Sequence, residues 1–156
     1  MPKFLISGVP GSGKSTVANF IEKEHGFYHI DFESEGFRPK YEFSQNPEML
    51  TDLAAKEKIV ISWGFGPFID KPSIKRIIQE GFTFTWLDGD RVASFKYFMD
   101  REQNDPIMEY LYYGQMQMIV ATDIVEQLKP RIVNPFTDST FRPVAEIVAE
   151  ILSVTQ

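Results

Sequence analysis

Eight consecutive residues constrain this chain more than any others. Gly8-Val9-Pro10-Gly11-Ser12-Gly13-Lys14-Ser15 matches G-x-x-x-x-G-K-[ST]. The pattern sits where its mechanism needs it. The run before it, Phe4–Ser7, reads as a strand, and Ser15–His25 behind it reads as a helix that stops at Gly26. Glycines at this spacing let the backbone curl into a nest of N–H groups, and the helix start adds its positive dipole end. A strand, a phosphate loop and a helix are therefore expected in succession. Gly8, Gly11, Ser12 and Gly13 form the nest, Lys14 reaches the β- and γ-phosphates of a nucleotide, Ser15 offers its hydroxyl to Mg2+, and Thr16 lies toward the α-phosphate. A glycine-rich turn that binds nothing has no need of Lys-Ser at these positions.

The rest of the chain repeats the alternation. Phe27–Asp31, Ile59–Trp63, Phe82–Leu87 and Arg131–Asn134 are too short for helices and rich in β-branched or aromatic residues. Helical segments separate them. Pro47 stands where a helix opening after Asn46 would place its first residue, and Asp70 with Pro72 opens another that Gly81 closes. Arg91–Arg101 is followed by a break at Asn104-Asp105-Pro106 and by a longer helix to about Leu128, and Pro143–Leu152 is the last. This pattern predicts an α/β fold of three layers, a mainly parallel sheet with helices on both faces. Residues 1–156 hold no repeat, low-complexity tract or long linker, so one domain is expected.

Composition narrows the chemistry. Without cysteine, thiolate nucleophiles, disulfides and Cys-based zinc sites are excluded. No segment reaches the length of a membrane span, and the N-terminal apolar run is too short for a signal peptide, so a cytoplasmic location is expected. The formal net charge of −6 argues against a general grip on nucleic acid or anionic membranes and favours small-molecule partners. The sequence does not specify the oligomeric state.

Taken with the compact length, the loop and Gly26-Phe27-Tyr28-His29-Ile30-Asp31 resemble the nucleotide and shikimate/gluconate kinase branch of P-loop proteins. The resemblance spans nearly the whole chain and is specific near its start. It implies a five-stranded parallel sheet in order 2-3-1-4-5, ATP and Mg2+ as cofactors, and transfer of the γ-phosphoryl group to a small hydroxyl or phosphate acceptor. No Asn-Lys-x-Asp reader of guanine is present, and 156 residues leave no room for the extra helical domain of oligomeric AAA-type ATPases. Asp31 matches the acidic residue that ends the second strand. Trp86-Leu87-Asp88-Gly89-Asp90-Arg91 and the helix ending at Arg101 resemble the approach to a lid that carries phosphate-clamping arginines, and Asn134 to Pro143 resembles the loop on which adenine rests. Two departures matter. Trp63 stands where adenylate kinases place an Asp, so Asp31 would serve both Mg2+ and the acceptor, and a large lid insertion is absent.

The candidate site residues follow from these matches and from the rule that open parallel sheets bind ligands at the carboxyl ends of their strands. Asp31 is the expected catalytic carboxylate; an Asp capping the turn after the strand is the alternative. Glu33 and Glu35 are either further acceptor-site carboxylates or part of a solvated loop, and Arg38 would either grip an anionic acceptor or stand as a solvent-facing charge beside a turn. Trp63, Phe65 and Phe68 would either stack on the acceptor or pack the core. Arg101 and Arg91 are the arginine clamps, Arg101 competing with a surface pairing to Glu102 or Asp105. Arg142 would either stack on adenine or be an exposed charge before the last helix. Gln115 is an acceptor contact by loose analogy only. Two other activities stay open: a nucleotide-bound switch or slow NTPase without a small acceptor, and a kinase acting on nucleic-acid ends.

Overall fold

In the computed structural model, residues 2–33, 48–64 and 70–153 are described. β1 (Lys3–Gly8), β2 (Tyr28–Asp31), β3 (Ile59–Ser62), β4 (Thr83–Leu87) and β5 (Arg131–Val133) form one sheet in the order β2-β3-β1-β4-β5. Every pairing in it is parallel. The expected order is borne out. Parallel pairing needs a crossover after each strand, which covers both faces with helices; β1 and β3 accordingly read as nearly continuous apolar runs.

Alternation along the strands divides the core into two layers. Phe4 and Ile6 of β1, Val60 of β3 and Leu87 of β4 pack against Val17 and Ile21 of α1 (Lys14–His25) and Ile147 and Ile151 of α7 (Val144–Leu152). Leu5, Ile59, Ile61 and Trp86 face the other way. They meet Leu50 of α2 (Met49–Ala54), Ile74 and Ile77 of α3 (Lys71–Gln79), Ile119 of α5 (Pro106–Thr122) and Ile124 of α6 (Ile124–Leu128). α4 (Arg91–Arg101) instead joins α5 through Phe95 and Phe98, which pack edge-on or tilted against Tyr112 at centroid distances of 4.9 and 5.4 Å. Among the described residues, no helix is long and apolar enough to cross a membrane.

Helix ends follow the sequence signals closely. Gly26 adopts φ 71° after α1, the left-handed conformation of a C-terminal stop. Asp70 accepts hydrogen bonds from the Ser73 amide at 3.2 Å and the Ser73 hydroxyl at 2.8 Å, and so caps α3. Two expectations change. The helix expected to continue to Leu128 is interrupted at Asp123, which takes φ 53°. Asp is one of the few residues that enter this region readily, and the break lets Ile124 turn into the core. The segment expected as a loop before the last helix contains a hairpin, β6 (Phe136–Thr137) paired with β7 (Thr140–Phe141). Asp138 and Ser139 both have positive φ, as a tight two-residue hairpin turn requires.

Ile61, fully buried on β3 beside the strand that carries the phosphate loop, tests the packing. Ile61→Ala should lower unfolding free energy by about 2–5 kcal/mol in urea titration without altering the slope of the transition.

Candidate active site

The phosphate loop leaves β1 at Gly8 and is wedged against β4 and α4. The Val9 amide donates to the Leu87 carbonyl at 3.2 Å, and the Ser94 hydroxyl donates to the Pro10 carbonyl. A Cβ on Gly8 would stand 2.3 Å from the Leu87 carbonyl oxygen, and one on Gly11 would stand 2.2 Å from that of Ser94. No side chain fits at either position. Gly13, with φ 86°, precedes α1 in the left-handed conformation and lies beneath the Phe141 ring, which a Cβ would meet at 2.6 Å. Ser12 is buried, and its amide closes the loop onto the Val9 carbonyl at 3.2 Å, so it shapes the nest from within.

A cleft of about 510 Å³ opens over this loop. Gly11, Gly13, Lys14, Ser15 and Thr16 form one wall; Glu33 and Gly64, from the ends of β2 and β3, meet them at the floor. Tyr97, Phe98 and Arg101 of α4 and Met108, Leu111, Tyr112 and Gln115 of α5 close the opposite side. The volume lies within the range of small-molecule sites. Lys14 Nζ lies 3.1 Å from the Val9 carbonyl oxygen and 3.4 Å from that of Gly8. Burial lowers its pKa from 10.5 to about 8; the negative charge of Glu33 opposes the shift and the positive charge of Arg101 adds to it. Both residues therefore act on Lys14 across the same space.

The structure separates the other candidates. Asp31 does not line the cleft: its Oδ1 accepts the Glu33 amide at 2.9 Å, the turn-capping alternative for this residue. The carboxylate that this turn delivers to the cleft is Glu33. Trp63 is buried and lies edge-on to Phe32, with centroids 5.3 Å apart, in the core rather than on the cleft wall. Arg91 makes two bonds to Asp88, at 3.1 and 2.8 Å, which raise its pKa and hold it at the base of α4. Arg142 is bound to the Asn134 carbonyl at 2.6 Å and to Glu146 and Glu150 at 3.1 and 3.0 Å, so it ties the hairpin segment to α7. Neither Arg91 nor Arg142 lines the cleft. Arg101 does, although its Nε also lies 3.3 Å from Glu102. Arg38, Glu35, Phe65 and Phe68 lie outside the described residues, as does Pro47.

Sequence reasoning missed two features of the cleft. Tyr97 is one, stacked on Phe141 at 5.5 Å and 18° beside Gly13; its i, i+4 spacing from Arg101 is the hint of it in the sequence. The other is the junction at Gly64, where the Gln115 amide donates to the glycine carbonyl at 2.7 Å. Nothing local links residues so far apart in the chain.

Among the described residues, no group of three or more His, Cys, Asp or Glu side chains could hold a metal ion. Mg2+ keeps several waters and takes few protein ligands beside phosphate oxygens, so it does not require such a group. The Ser15 hydroxyl is exposed at the start of α1. Asp31 is in register with Ser62, which by alternation from Val60 faces the α1 side of the sheet. The Ser15 hydroxyl and the Asp31 carboxylate are donors of the type that Mg2+ takes.

No protein-family model matches the sequence, and no curated protein matches it. Solved structures do. A gluconokinase from Sinorhizobium meliloti 1021 aligns over 97% of this chain and 90% of its own, with TM-score 0.64 and 21% identity. A shikimate kinase from Bacteroides thetaiotaomicron aligns over 98% and 97%, with TM-score 0.65 and 16% identity. The chain has the fold of the small-molecule P-loop kinases. A shikimate kinase from Acinetobacter baumannii in complex with shikimate gives the same picture, with TM-score 0.62 and 16% identity over 99% and 92%.

The depressed pKa of Lys14 has a thermodynamic consequence. The folded chain binds this proton less tightly than the unfolded chain, whose Lys titrates near 10.5, so the penalty is complete below about pH 8 and fades as pH rises toward 10.5. The ligand-free Lys14→Met variant should therefore be more stable than wild type at pH 7, and the gap should narrow above pH 8. Denaturant titrations across pH will measure this. Phosphate binding should restore the proton, so calorimetry in buffers of different ionisation enthalpy should show proton uptake on Mg-ATP binding near pH 8.5 (about half a unit above the midpoint).

Proposed function

We propose that this chain is an ATP-dependent kinase that phosphorylates a small hydroxyl or phosphate acceptor. The observation that carries the reading is the meeting of Lys14, Glu33 and Arg101 in one cleft above a phosphate loop. A cation for phosphate and a carboxylate for an acceptor proton face the same small volume. The fold shared with gluconate and shikimate kinases supports transfer to a small molecule. The whole chain is read as one catalytic domain working in the cytoplasm.

Mg-ATP supplies the γ-phosphoryl group. Gly11, Gly13 and Lys14 hold the β- and γ-phosphates, Ser15 with Asp31 is the donor set for Mg2+, and Thr16 lies toward the α-phosphate. The stacked Tyr97 and Phe141 beside Gly13 offer a flat surface for the base. Glu33 takes the general-base role that the sequence reading gives to Asp31, because Asp31 Oδ1 is engaged in the turn whereas Glu33 reaches the cleft. The acceptor hydroxyl would pass its proton to Glu33 as its oxygen bonds to phosphorus and the bond to the bridging oxygen of the nucleotide breaks. Arg101, at the end of α4, offsets the charge that spreads over the transferring group.

ADP release from Mg-ATP, measured across nucleosides, nucleoside monophosphates, sugar acids and shikimate-like alcohols, tests this directly. One acceptor should stimulate release, and Lys14→Ala should abolish tight nucleotide binding along with it. Glu33→Gln should keep nucleotide binding and lower stimulated release by about 10²–10⁴-fold. Asp31→Asn keeps an oxygen for the Glu33 amide and should lower release less; the opposite ranking would return the base role to Asp31.

A further inference from the structure

Gly64 follows β3 and lies outside the left-handed region, so its backbone alone does not demand glycine. Its surroundings give the missing side chain its consequence. A Cβ there would stand 2.6 Å from Glu33 Oε2 and 3.1 Å from both Cδ and Oε1, so the whole carboxylate rests over the bare α-carbon. On its other side, the Gly64 carbonyl accepts the Gln115 amide of α5 at 2.7 Å. The same turn is fixed from behind: the Phe32 amide donates to the Ser62 carbonyl at 2.9 Å, and the Glu33 amide donates to Asp31. One glycine is thus the seat of the carboxylate and the anchor point of the helix across the cleft.

We propose that Gly64 and Gln115 are positioning residues that set how far the Glu33 carboxylate reaches toward Lys14 and the acceptor. Gly64 acts by having no side chain, and Gln115 acts by holding the Gly64 carbonyl, and with it the cleft floor, at a fixed distance from α5. Neither residue takes part in bond making. The inference deepens the kinase reading and rests on it for its catalytic meaning, but the placement of the carboxylate is a property of the free protein and can be measured without a substrate.

The test is the crystal structure of the free protein together with its kinetics. Gly64→Ala should displace the Glu33 carboxylate from its seat, and Gln115→Ala, on a helix that favours alanine, should move it less. With the acceptor that stimulates ADP release, both variants should lower kcat by about ten- to a hundredfold while the KM for Mg-ATP stays as in wild type, and neither should lower it further when added to Glu33→Gln. A carboxylate left in its wild-type position by both variants, or a loss of kcat that multiplies with that of Glu33→Gln, would overturn the proposal. A displaced carboxylate in a protein that phosphorylates no acceptor would keep the positioning and remove the kinase reading; an undisplaced carboxylate in an active kinase would do the reverse.

Discussion

Everything in the cleft depends on how closely the phosphate loop is wedged between the sheet and α4. At Gly8 and Gly11 the neighbouring carbonyl oxygens of Leu87 and Ser94 lie closer to the position of a Cβ than any side chain tolerates, and at Gly13 the Phe141 ring does the same. This exclusion gives the loop one course. The Val9 and Ser12 amides are bound within the fold, so a nest facing the cleft is left to the other loop amides. Lys14 starts the helix from that point, with its ammonium folded onto the loop's own carbonyls.

The same packing explains the electrostatics. An ammonium drawn into the protein loses hydration, and its pKa falls; among the described residues Glu33 works against that loss and Arg101 deepens it. A phosphate group entering between Lys14 and Arg101 would offset the repulsion between the two cations. α4 and α5 keep Arg101 there without a long insertion. Phe95 and Phe98 interlock with Tyr112, and Asp105 caps α5 by accepting the Ile107 amide at 2.9 Å. A tight turn through Gln103 and Asn104, both at φ 57°, leads from one helix to the next.

Much of the fold was legible because each element carried its own local signal. The strand runs were short and β-rich, Asp70 and Gly26 marked helix ends, and the loop motif located β1 and α1 together. What escaped was decided between distant segments. Asp31 and Glu33 are nearly equivalent in sequence; only the turn in which one carboxylate binds the other residue's amide shows which of them enters the cleft. Arg142 and Arg91 look like free cations until Glu146, Glu150 and Asp88 are seen to hold them. Trp63 was legible as either core or stacking surface, and its contact with Phe32 placed it in the core. The hairpin of Phe136 to Phe141 has strands too short for any periodicity to register.

The central claim is that the cleft transfers phosphate rather than merely hydrolysing or sensing the nucleotide. The most direct measurement follows the γ-phosphorus of Mg-ATP by 31P NMR in the presence of the acceptor that binds best. A cleft in which Glu33 faces Lys14 across the acceptor predicts a growing phosphate ester or anhydride signal, matched by ADP and lost in Glu33→Gln. Inorganic phosphate alone, forming at a rate indifferent to the acceptor and to Glu33, would contradict it.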